Sequence, residues 1–193
     1  MKKKPFKHMP KVLFGEYMLR TLKTKDYRDL FEYGKDPEVT KFLNWGPMVL
    51  SIEAKRSIKE IFYPRVKNGL PVGYAIIDIN KNKMIGTVDF HSVISDQNTA
   101  EIGYVIHKDY WGKGIMTQAV KELIKLGFTY LNYDKIIIKH LSKNIGSQRV
   151  IEKSGFKYIK KEPYTLKKIN SIIEDDMLIY EITKEDYHGS KQS

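Results

Sequence analysis

The segment EIGYVIHKDYWGKGIMTQAVKEL, from Glu101 to Leu123, limits the possible folds more than any other part of the chain. It begins with alternation. Glu101, Gly103, Val105 and His107 fall on one face of an extended strand, and Ile102, Tyr104 and Ile106 on the other. After Trp111 the period lengthens. Met116, Ala119, Val120, Leu123, Ile124 and Gly127 recur at helical spacing. A strand therefore hands over to a helix through a turn that holds Gly112 and Gly114 around Lys113.

The same patterns extend to both sides. Residues 16–22 read as a short strand. Thr24 can cap a helix with Tyr27, Leu30, Phe31 and Gly34 on one side. Asp36-Pro37 places a proline at the first position of a short helix, which carries Val39 and Phe42 into the aromatic loop FLNWGP. Ser51 opens another helix, with Ala54, Ile58, Ile61 and Phe62 along one side, expected to stop before Pro64. VGYAIIDI and MIGTVDFHSV, joined by a polar connection at residues 80–83, read as a hairpin. KIIIKHL is a continuous apolar strand, as near a sheet centre. A helix from Asn144 to near Gly155 and the strands FKYIKK and DDMLIYEI close the chain. The order predicts an α+β fold: a mixed, largely antiparallel sheet with helices on both faces. Residues 1–15 read as a flexible basic arm, 16–184 as a single domain and 185–193 as a tail.

Composition removes several chemistries. The chain has no cysteine, which excludes disulfides, thiolate metal sites and a cysteine nucleophile. His91, His107 and His140 form no pair with metal-ligand spacing, so no metal is expected. No apolar run approaches a membrane span, and the start MKKKPFKHMPK lacks a signal peptide's apolar stretch. A cytoplasmic protein with no membrane partner is expected. The formal net charge of +11 favours polyanions: nucleic acid, a ribosome surface or a phosphorylated cofactor. The lysines are spread along the chain, so most also read as a solvated surface.

The glycine turn suits an anion. The first N–H groups of a helix have no internal partner, and the helix dipole adds positive charge there. Glycines allow the backbone to come close. Lys113, Gly114, Ile115, Met116 and Thr117 would offer those N–H groups, and Lys113 a full charge. The turn is neither a P-loop nor the three-glycine dinucleotide fingerprint. A tight connection without any ligand is the alternative.

YWGKGIMTQAV resembles the acetyl-coenzyme A signature of the GNAT N-acetyltransferases, usually Arg/Gln-x-x-Gly-x-Gly/Ala. Trp111 and Met116 depart from that pattern, and Gly114 keeps it. Tyr-Trp-Gly-x-Gly resembles the branch that acetylates the N-terminal alanine or serine of ribosomal proteins. DPEVTKFLNWGP, AEIGYVIHKDYWGKG and NIGSQRVIEKSGF resemble the same branch, so the likeness runs from Tyr17 to Ile182.

The resemblance implies a GNAT fold, acetyl-CoA as co-substrate and a primary amine as acceptor. It places the diphosphate on Lys113–Thr117 and the pantetheine arm beside Tyr104, Val105 and Ile106, where a backbone N–H could face the thioester oxygen. One such donor is typically worth about 3 kcal/mol. Glu101 becomes the general base; without that likeness it reads as a half-exposed surface glutamate. Asn144 reads either as a helix cap or as a ligand of pantetheine. Ser147 reads as part of the first helical turn or as donor to the departing thiolate. Many GNAT enzymes place a tyrosine where this chain has Ile151. Arg149 and Lys143 could meet the ribose phosphate or be solvated charges. His107 is the histidine nearest a role, since it shares Glu101's face. Trp45 and Tyr164 are candidates for the acceptor wall.

Three functions compete: acetylation of a protein N-terminus, plausibly ribosomal; acetylation of a small amine; and basic nucleic-acid binding without catalysis. A polycation site should gather further carboxylates, for which Asp78, Asp89 and Asp96 are available. The strand-rich C-terminus could support a homodimer.

Overall fold

Alternation along the middle strands decides the layering. In a computed structural model, which describes residues 9–94, 97–168 and 171–189, the eight strands are β1 (Val12–Phe14), β2 (Tyr17–Thr21), β3 (Tyr74–Asp78), β4 (Lys83–Ile94), β5 (Thr99–Ile106), β6 (Lys135–Leu141), β7 (Lys157–Lys168) and β8 (Ser171–Thr183). They form one sheet in the order β1-β2-β3-β4-β5-β6-β8-β7. Every pairing is antiparallel except that of β5 with β6. The helices are α1 (Tyr27–Gly34), α2 (Pro37–Thr40), α3 (Ser51–Arg56), α4 (Ile115–Thr129), α5 (Ile145–Lys153) and α6 (Lys184–Gly189).

The sheet is apolar on both sides because helices cover both. Tyr74, Ile76, Val88, Phe90, Ile102, Ile136 and Ile138 pack against Met116, Ala119, Val120 and Leu123 of α4 and Ile151 of α5. The alternate residues Ala75, Ile77 and Val105 pack against Leu30 and Tyr33 of α1, Ala54 of α3 and Ile58. Each buried aliphatic side chain contributes about 1.5–3 kcal/mol relative to exposure. The expected α+β architecture is therefore present, with α4 and α5 on one face and α1 to α3 on the other.

Some local readings need correction. Thr24 does not cap the first helix. A 3₁₀ turn, Thr24–Asp26, comes first, and Asp26 accepts the Lys23 N–H (2.8 Å) and both Arg20 nitrogens (2.7 and 2.8 Å). The Thr24 hydroxyl instead meets Tyr63 (2.9 Å). Asp36 does cap α2, accepting the Glu38 N–H at 2.9 Å. Pro64 does not end the third helix. The chain widens into a π turn, Ser57–Phe62, and then a 3₁₀ turn, Tyr63–Asn68, where Pro64 lies at the start. A missing N–H costs little there. The widened turn also shifts the helical phase, which leaves Ile61 exposed. Part of the segment read as an arm joins the domain: Met9 is buried, and Val12–Phe14 pairs with β2. Part of the segment read as a tail is α6, held by a Lys157–Asp186 ion pair.

His140 lies buried between β6 and β8. Its Nδ1–H donates to the Leu141 carbonyl (2.9 Å), and Nε2 can accept from the Tyr180 hydroxyl (3.4 Å). Burial lowers its pKa below the ordinary 6.5. The unfolded chain then binds a proton before the folded one does, so stability is full above about pH 6.5 and declines as pH falls through the folded value. Thermal melts between pH 7.5 and 5 should show a falling midpoint. His140→Gln should fall less over the same range.

Candidate active site

β5 and β6 run side by side only as far as Ile102 and Ile138. Beyond that rung β5 stays with β4, up to Ile106 opposite Gly86, while β6 stays with β8, up to Leu141 opposite Met177. Two parallel strands therefore part like a wedge. The His107 N–H bonds the Ile85 carbonyl at 2.8 Å, toward β4. By alternation the backbone groups of Tyr104 and Ile106 point the other way, into the wedge. The Trp111 indole N–H caps one of them, the Ile106 carbonyl, at 2.9 Å.

The glycine turn stands at the end of β5. Gly112 (φ 73°) and Gly114 (φ 74°) are both left-handed, the conformation glycine adopts most cheaply. Gly114 is the N-cap of α4, and its carbonyl accepts the first helical bond, from Gln118 (3.1 Å). No side chain caps this helix, and no acidic residue lies in its first turn. The N–H groups of Ile115, Met116 and Thr117 and the dipole are thus available to an anion. A diphosphate is one anion that such a helix start can receive. Lys113 lies over the Tyr110 ring, 5.2 Å from its centroid.

α5 begins across the wedge. Asn144 caps it by accepting the Ser147 N–H at 3.1 Å, so its structural role is realised. The Ser147 hydroxyl does not stand alone. It lies 2.7 Å from the Tyr104 hydroxyl, which also reaches the Ser147 carbonyl at 3.2 Å. Burial raises the Tyr104 pKa far above its ordinary value, with the Ser147 hydrogen bond acting in the opposite direction. The phenol stays protonated and can donate at neutral pH. From sequence Tyr104 has only a backbone role; nothing in the pattern announces this contact between β5 and α5. Arg149 is exposed on α5. Lys143 is turned toward β8, donating its N–H to Asp175 (3.0 Å) and its Nζ to the Glu174 carbonyl (3.1 Å).

On the opposite face of β5, Glu101 is held by both oxygens. Lys139 Nζ donates to Oε2 at 3.0 Å, and His91 Nε2 lies 3.5 Å from Oε1. His91 is the extra residue of a β-bulge: Phe90 pairs with Ile102 and Ser92 with Glu101, and His91 is skipped. The bulge turns its ring over Gly103, where a Cβ would come within 2.8 Å of the imidazole. Asp89 lies behind, buried and in ion contact with Arg65 at 2.9 Å. Burial raises its pKa, with Arg65 and His91 pulling it down. Neither His91 nor Lys139 was given a role from sequence, because bulge and strand register bring them together.

His107 does not join Glu101. The strand ends at Ile106, and His107 starts a 3₁₀ turn, accepting the Asp109 N–H on Nδ1 (3.2 Å) with Glu32 3.6 Å from Nε2. Asp78 accepts from the Tyr110 hydroxyl (2.9 Å). Asp96 lies outside the described residues. Trp45 packs against Gly34 of α1, and Tyr164 stands on β7 opposite Asp175. Their two segments meet where Lys168 Nζ donates to the Thr40 carbonyl (2.7 Å).

A sheet parted beside an anion-seeking helix end, with a carboxylate one turn of pleat away, fits the class of acyl-CoA-dependent transferases. Residues 17–157 match the Acetyltransferase (GNAT) domain, and the chain belongs to that family. It is an acetyl-CoA-dependent N-acetyltransferase. It is 32% identical over 138 residues to the uncharacterized N-acetyltransferase p20 of Bacillus licheniformis, covering 72% of this chain and 77% of that one. It is 28% identical over 114 residues to the ribosomal-protein-serine acetyltransferase of Escherichia coli, covering 59% and 63%. The crystal structure of spermidine N-acetyltransferase from Vibrio cholerae, in complex with CoA and spermine, superposes with a TM-score of 0.76 at 19% identity, covering 91% of this chain and 99% of that one. At that identity the likeness is one of fold. Among the described residues no helix is long and apolar enough to cross a membrane, and no group of three or more His, Asp or Glu could hold a metal ion.

A Cβ at Gly114 would meet nothing within 4 Å, so a substitution there acts through backbone strain alone. Gly114→Ala should cost about 1–2 kcal/mol, lowering the melting midpoint by a few degrees. It should raise the KM for acetyl-CoA several-fold and leave the acceptor's KM within twofold, measured by thiol release.

Proposed function

We propose that this enzyme acetylates the α-amine of a polypeptide N-terminus by direct attack on the thioester in a ternary complex. The observation that carries this reading is how the nearby carboxylates are used. Asp89 is closed by Arg65 and Glu101 already faces Lys139, while Asp78, beside the opposite end of β4, accepts from Tyr110 with Lys81 3.9 Å away. A polyamine needs several unmatched carboxylates, whereas one terminal amine needs a single base. The likeness to a ribosomal-protein-serine acetyltransferase supports the same choice, and the basic net charge of +11 suits a target on a ribosome.

In this reading the N–H groups of Ile115, Met116 and Thr117, with Lys113, hold the diphosphate. Backbone groups of Tyr104 and Ile106 hold the pantetheine amides, with Val105 between them and Asn144 at the far wall. Arg149 reaches the ribose phosphate. Acetyl-CoA supplies the activated acyl group. Glu101, directly or through one water, takes the proton that the amine loses; its side chain is only 17% exposed, which keeps it aimed across the strand face. Ser147 donates a hydrogen bond to the departing sulfur, and Tyr104 donates to Ser147, leaving the serine hydrogen free to turn into the wedge. Trp45 and Tyr164 line the acceptor side.

The test is a thiol-release assay with acetyl-CoA against peptides beginning with alanine or serine, spermidine and an amino-sugar. Turnover with the peptides should exceed that with the small amines; the reverse order would exchange the acceptor class. Glu101→Gln should lower kcat by a factor of roughly 100 or more, with the acetyl-CoA dissociation constant unchanged by calorimetry. Wild-type turnover in that variant at neutral pH would remove Glu101 as the base.

A further inference from the structure

The charges around Glu101 are matched one for one. Glu101 pairs with Lys139 (3.0 Å), Asp89 with Arg65 (2.9 Å), and one rung along the same face Lys135 pairs with Glu181 (3.3 Å). On the outer strand β7, Lys160 and Glu162 close a further pair at 3.0 Å. His91 adds a positive charge whenever it is protonated. Immediately around Glu101, these ion pairs leave no carboxylate without a cationic partner for an incoming cation to take. Lys139 adds a steric statement to this electrostatic one. Its ammonium already sits at hydrogen-bond distance from the carboxylate, where an incoming ammonium would otherwise bind.

We propose that the site selects its acceptor by amine pKa, and that Lys139 is the positioning residue that sets this selectivity. The inference rests on Glu101 being the base. An amine arriving as the cation finds Glu101 already paired with Lys139 and has no free carboxylate to bind; an amine arriving neutral needs none. A terminal α-amine of pKa about 7.8 is roughly one-tenth neutral at pH 7, whereas a lysine side chain of pKa about 10.4 is neutral about once in 2,500 molecules. The ratio is about 300-fold, part of which the more basic amine regains through its greater nucleophilicity. The accepted class is then the polypeptide α-amine, with lysine side chains and polyamines rejected. The proton balance is simple. The small fraction of free amine enters and forms its bond to the acyl carbon; the C–S bond breaks, coenzyme A leaves as the thiolate with that electron pair, and the nitrogen passes its extra proton to Glu101. His91, on the far oxygen and 37% exposed, can pass that proton to solvent.

The experiment compares kcat/KM for an alanine-initiated peptide lacking lysine, the same peptide N-blocked with one internal lysine, and spermidine. The wild type should prefer the α-amine by about 100-fold or more. Lys139→Met keeps the alkyl stem and removes the charge. It should shrink the preference about tenfold and lower the KM for spermidine while leaving the KM for the α-amine peptide within twofold. Lys139→Arg should restore the wild-type preference. Equal rates on α- and ε-amines in the wild type would overturn the proposal, as would Lys139→Met with unchanged preference. These failures are separate from that of the base assignment, which Glu101→Gln alone decides.

Discussion

The separation of β5 from β6 is the constraint on which the rest depends. The two strands are the one parallel pair in the sheet, and each has a stronger attachment on its other side. β5 follows β4 to its end, and β6 follows β8 to its end. Once they diverge past Ile102 and Ile138, one row of backbone groups on β5 loses its neighbour inside the sheet. Buried peptide groups left unpaired are costly, so such a gap calls for a ligand that can act as a strand. Pantetheine, with its two amides, has that character.

The same strand then divides the chemistry between its two faces. Glu101, Gly103 and Val105 look toward α1 and α3, while Ile102, Tyr104 and Ile106 look toward α4 and α5. A carboxylate on one side and a hydroxyl pair on the other thus flank the same strand edge. Gly103 matters to the first side because its missing side chain admits the His91 ring. On the second side the Tyr104 phenol, whose pKa burial raises further above its ordinary value, meets the Ser147 hydroxyl.

The helix-strand order and the glycine turn were legible in the sequence because each depends on local period or on a contiguous motif, and the same alternation placed Glu101 on β5. Asp36 as a cap was legible for the same reason. Pro64 misled, since a widened turn ending two residues earlier moved it to a position where proline is harmless. His91 was not legible: a single skipped residue in β4 decides that its ring meets Glu101. Lys139 lies 38 residues from Glu101, and only the parallel register brings them together. His107 looked the better partner by alternation, and the end of the strand one residue earlier removed it. The Tyr104–Ser147 contact joins a strand to a helix whose packing no local pattern records.

The central claim is that the wedge and the start of α4 together receive the acyl donor. Amide hydrogen exchange with and without coenzyme A measures this residue by residue. The account predicts slowed exchange at Tyr104 and Ile106 in the wedge and at Ile115, Met116 and Thr117 in the first helical turn. Slowing confined to other segments, with these five amides exchanging as in the free protein, would contradict it.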